Sequence, residues 1–129
     1  ILRRLADEFY GDGAGTPLDI VRGIVEMASR RMRPDEILYL EVEEEGNPRR
    51  SFDVNLYRAN LLLGELYPFL LMMCRHFAIA EEDFHRLYEP VKAQIFGHLS
   101  GGVDRQGRDF LTVYYGVKGS SRRGHGGRP

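Results

Sequence analysis

The side chains best placed for chemistry sit close together in the second half of the chain. Glu82, His85 and Glu89 stand at i, i+3 and i+7, so a helix through them puts two carboxylates and an imidazole on one face. Such a set would transfer protons or ligate a metal. A helical metal site also needs a matching pair from a second helix, which the sequence does not supply. Pro90 disturbs the geometry beside Glu89, and the set reads as a solvated polar face. An enzyme built on His85 or His98 would need a pocket that joins the imidazole to neighbouring carboxylates.

Cys74 and His76 are two residues apart, a spacing that does not bring side chains together on a helix. Cys74 lies among Leu71, Met72 and Met73, which suits a buried structural thiol rather than a nucleophile. The loop Gly11–Gly15, GDGAG, precedes a helix start as phosphate-binding loops do. A helix rather than a strand leads into it and no Gly-Lys-Ser/Thr follows, so it reads as a connector. Arg105 and Arg108, with Gly101 and Gly102 nearby, would attract an anion. Asp104 and Asp109 offset their charge, which favours a hydrogen-bonded turn.

The tail Ser120–Pro129, SSRRGHGGRP, has the composition of short arginine–glycine segments that bind RNA through phosphate charge and arginine stacking. Lys118, Arg122, Arg123 and Arg128 make residues 118–129 strongly basic with no acid, so the rest of a chain of net charge −1 is acidic. That balance argues against a broad nucleic-acid surface and leaves the tail as the one place for it. A single cysteine excludes an intrachain disulfide and fits a reducing, cytoplasmic setting. No secretory leader is visible, and the chain begins at Ile1 rather than a methionine.

The elements that hold these residues follow from periodicity. Ile1, Leu2, Leu5, Ala6 and Phe9 share the face of a short helix. Thr16-Pro17-Leu18-Asp19 is a helix start, and Leu18, Val21, Ile24, Val25, Ala28 and Met32 extend it over about 17–32. Alternation then predicts a hairpin of 37–44 with 50–56 about Gly46-Asn47-Pro48. Glu43–Glu45 and Arg49–Arg50 flank that turn and would pair across it, each exposed pair contributing about 0.2–1 kcal/mol. Residues 56–77 are apolar on nearly every side and predict a central buried helix, divided by Pro68. The run is too short and too interrupted to span a membrane, which takes roughly 20 apolar residues. Phe84, Leu87, Tyr88, Val91, Ile95 and Leu99 predict a second helix over 80–99, and Phe110–Val117 a last strand returning to the hairpin.

These elements define an α+β domain over residues 1–118, in the order α-α-β-β-α-α-β, with helices packed on a small antiparallel sheet. Residues 119–129 form a basic tail. One such domain has few elements with which to surround the 56–77 run. The expected function is therefore a non-catalytic interaction or assembly subunit that meets a protein partner or a second copy. Its expected contacts are Phe69, Met73, Phe110 and Tyr114, with Arg122 and Arg123 offering nucleic acid an alternative site. No catalytic, metal or cofactor residue is assigned.

Overall fold

The computed structural model describes residues 1–11 and 15–116, and the backbone of 122–123. Two helices lead, α1 (Leu2–Glu8) and α2 (Thr16–Ser29). The predicted hairpin follows as β1 (Leu38–Glu43) and β2 (Arg50–Asn55), in the register Leu38↔Asn55 to Glu43↔Arg50. Helices α3 (Tyr67–His76) and α4 (Glu81–Tyr88) come next, then β3 (Phe96–Val103), β4 (Asp109–Tyr115) and a two-residue β5 (Arg122–Arg123). The strands form one antiparallel sheet in sequence order, β1-β2-β3-β4-β5.

The class is α+β, but two predicted helices are not what the chain forms. The 56–77 run does not make one central helix: only Tyr67–His76 is α-helical. Asn60 takes a left-handed conformation at φ 52°, and Leu62 bridges Ile95 in an isolated strand contact. Pro68 stands in the first turn of α3, where its missing N–H costs nothing, so it starts the helix. The 80–99 helix stops at Tyr88, just before Pro90, and residues 96–103 become β3. Ser100, Gly101 and Gly102 are mid-strand. The returning strand is thus one of a second hairpin, turned by Asp104–Arg108 as expected, with Asp104 N–H donating to the Arg108 carbonyl at 2.9 Å.

Strand alternation divides the sheet into two faces. The inner face carries Phe52, Val54, Leu99, Leu111 and Val113, all in the hydrophobic core with α2 and α3. Gly101 is glycine because a Cβ there would lie 2.7 Å from both the Phe52 ring and a Leu111 methyl. Helix α1 docks on this face: Phe9 meets Phe52 edge-on at 5.2 Å, and Arg50 lies over Phe9 while bonding Glu8. Leu18, Ile20, Val21, Ile24 and Ala28 bury the inward side of α2 completely. Each of the branched side chains among them contributes on the order of 1.5–3 kcal/mol of burial.

Candidate interaction surface

On the outer face, register places Leu38, Leu40 and Val42 of β1 beside Asn55, Asp53 and Ser51 of β2, then His98, Ser100 and Gly102 of β3. Phe110, Thr112 and Tyr114 of β4 complete it. None of these residues belongs to the hydrophobic core. The two ends of the face differ. Phe110 and Thr112 are buried on β4, whereas Leu38 is 62%, Leu40 66% and Val42 43% exposed on β1.

β1 is the edge strand of the sheet, so alternate backbone N–H and C=O groups point away from β2. Folded proteins blunt such edges with charge, above all lysine, with proline, with a bulge or with a covering element. β1 reads LYLEVE and pairs with β2 without a break in register, so it carries neither lysine, proline nor bulge, and its two charges, Glu41 and Glu43, stand on the inward face. Its inward-facing residues are fixed from below. Arg4 of α1 makes a two-pronged bond to Glu41 at 2.7 Å for both contacts, and the Tyr39 hydroxyl donates to the same carboxylate at 2.6 Å. These bonds hold Glu41 well below the usual carboxylate range, at about 2. The strand is therefore anchored on one face and bare on the other.

Of the predicted contact residues, Phe110 and Tyr114 lie on this outer face but at β4, far from the bare edge, and Phe69 and Met73 lie on α3. Met73 is completely buried within the chain and Phe110 is 4% exposed, so neither offers surface to a partner. Phe69 is half-buried, its ring lying over Gly23 of α2. Tyr114 is partly covered and stacks on His98, with ring centroids 4.2 Å apart and planes within 7°. Arg122 and Arg123 pair by backbone along Tyr115 and Tyr114, and the remainder of the basic tail lies outside the described residues. So do residues 12–14 of the GDGAG loop.

The chemistry-bearing residues separate in the same way. His98 Nδ1–H donates to Asp53 Oδ1 at 2.6 Å across β2 and β3, an imidazole oriented by a carboxylate on the outer face. His85 instead receives the Tyr67 hydroxyl on Nε2 at 2.9 Å and gives Nδ1–H to the Glu81 carbonyl at 2.8 Å. It is a bridge between α3 and α4, and Glu89 bonds Lys92. His76 turns from Cys74 to Asp109, 2.7 Å away at the start of β4. Cys74 is fully buried, and burial pushes its thiol up to about 11. Arg105 is held by both oxygens of Glu44 at 2.8 Å, so its charge is met from just past the end of β1 rather than by Asp104 or Asp109. Among the described residues no cluster of three or more His, Cys, Asp or Glu is placed to hold a metal. No described helix is long and apolar enough to cross a membrane.

Comparison with protein-family models, with curated proteins and with solved structures finds no match. Leu38, Leu40 and Val42 went unassigned in the sequence because alternation gives a strand's two faces but not its place in the sheet. The available signal was the lack of any lysine or proline within an aliphatic strand.

Proposed function

We propose that the protein is a non-catalytic assembly subunit that meets its partner through the β1 edge and the adjoining outer face. The exposed row Leu38, Leu40 and Val42 on an edge strand without lysine, proline or bulge carries this reading. Three aligned aliphatic side chains beside free backbone groups give an incoming strand both apolar contact and hydrogen bonds, the combination by which sheets accept added strands. The buried free thiol is compatible with a reducing compartment such as the cytoplasm.

The test is the native mass of the protein isolated from its own source, as wild type and as Leu38→Lys/Leu40→Lys. The expected result is a complex that the double variant dissociates while its circular dichroism shows the same folded chain. A wild-type protein recovered as a bare monomer overturns the reading.

A further inference from the structure

Resting on that reading, we infer that the strand added to β1 is β1 of a second copy, antiparallel, with Leu40 on the two-fold axis. A two-fold perpendicular to the sheet keeps each face continuous, so only residues of the same face stand opposite one another. That condition leaves three central registers to compare.

With Leu40 at the centre, Leu38 faces Val42 of the second copy, Leu40 faces Leu40, and Tyr39 faces Glu41. All three exposed aliphatic residues then meet aliphatic residues, no carboxylate within the paired stretch faces another, and Glu43 lies beyond it, opposite Ile37. Glu41 enters this arrangement already paired with Arg4 of its own chain. Shifting the centre to Glu41 sets the two Glu41 side chains opposite each other and leaves Leu38 without a partner in β1. Shifting it to Tyr39 pairs only residues 38–40 and leaves Val42 without one. Like charges directly opposite disfavour a strand pair, and each shifted register forfeits an aliphatic pair. Within β1 the sequence is therefore most complementary to itself with Leu40 at the centre.

Five paired residues on each strand, 38–42, make a smaller contact than a standard interface, so the association is expected to be concentration-dependent. Opposed Cα atoms in an antiparallel pair lie roughly 4.5–5.5 Å apart, within disulfide reach. Residue 38 of one copy lies about 13 Å from residue 38 of the other, out of reach. Cys74 is fully buried and does not compete.

The experiment is sedimentation of the full chain from roughly 1 to 200 μM, a range that spans weak dimers, with oxidative cross-linking of single-cysteine variants. A dimer is expected, in which Leu40→Cys cross-links to itself. Leu38→Cys and Val42→Cys are expected to cross-link only when mixed with each other. A dimer that fails to cross-link through position 40, or does so through 38 with 38, overturns the register. A synthetic peptide of residues 37–44 with a lysine tail separates the remaining outcomes. A chain that stays monomeric yet binds the peptide overturns self-pairing and leaves the edge as a docking site. A monomer that ignores the peptide overturns this inference, and the reading beneath it is then decided by the native mass of the protein from its own source.

Discussion

The ring of Phe69 occupies the space that a side chain at position 23 would need. A Cβ on Gly23 would lie 2.5 Å from Phe69 Cζ and nearer still to Cε1. Helix propensity alone makes Gly23→Ala stabilising by about 1 kcal/mol. Overpacking costs about 1–3 kcal/mol, so the steric effect is expected to win. The expected outcome is a net loss of stability in denaturant melts of Gly23→Ala. In a double-mutant cycle, Phe69→Leu should make the alanine tolerable, because it removes the atoms in conflict. Additive losses would show that α2 and α3 do not meet at this pair.

His85 has a partner on each ring nitrogen, the Tyr67 hydroxyl on one side and the Glu81 carbonyl on the other. A metal at the Glu82–His85–Glu89 face would have to break the Tyr67 bond and take Glu89 from Lys92. Zinc or manganese is therefore expected to leave the melting temperature unchanged. A rise that disappears in His85→Ala would establish a metal site there. His85→Ala alone should lower the melting temperature, through the lost link between α3 and α4.

What could be read from sequence was what local periodicity specifies. The first hairpin and α2 repeat cleanly at 2.0 and about 3.6 residues, and both form close to their expected bounds. The 56–66 segment has no polar side to reveal a period, so its path, two short 3-10 turns rather than an α-helix, is fixed instead by Asn60 and by the contact of Leu62 with Ile95. Val91, Ile95 and Leu99 fit helical spacing, yet Leu99 is an inner-face residue of β3 opposite Val54. Long-range pairing decided that segment. The candidate surface was hidden for the same reason. Leu38, Leu40 and Val42 are ordinary strand residues until the topology makes β1 an edge. Conversely, the hydrophobicity of Met73 shows that it must be covered, not that the covering element belongs to its own chain.

Cys74 is sealed among core residues, and both burial and the nearby Glu81 carboxylate disfavour its thiolate. A thiol reagent such as Ellman's reagent at pH 8 is expected to leave the folded chain unmodified. The same reagent should titrate one thiol per chain in denaturant. Rapid reaction in the native state would show that α3 opens or that the thiol faces solvent.

Glu41 links acid stability to the anchoring of β1. Its carboxyl lies near 2 in the folded protein and near its ordinary value, about 4.5, in the unfolded chain. The unfolded state thus takes up the proton first as the pH drops. The stability contributed by the bonds from Arg4 and Tyr39 is fully present above about 4.5 and is lost as the pH falls towards about 2. Glu41→Gln keeps an acceptor but removes the charge. It is expected to melt below wild type at pH 7, with the two melting curves converging as the pH approaches 2. A difference that stays constant from pH 7 to 2 would mean that the charge of Glu41 contributes nothing. The hold of α1 on the sheet would then rest on Phe9 against Phe52 and on Arg50 of β2 with Glu8.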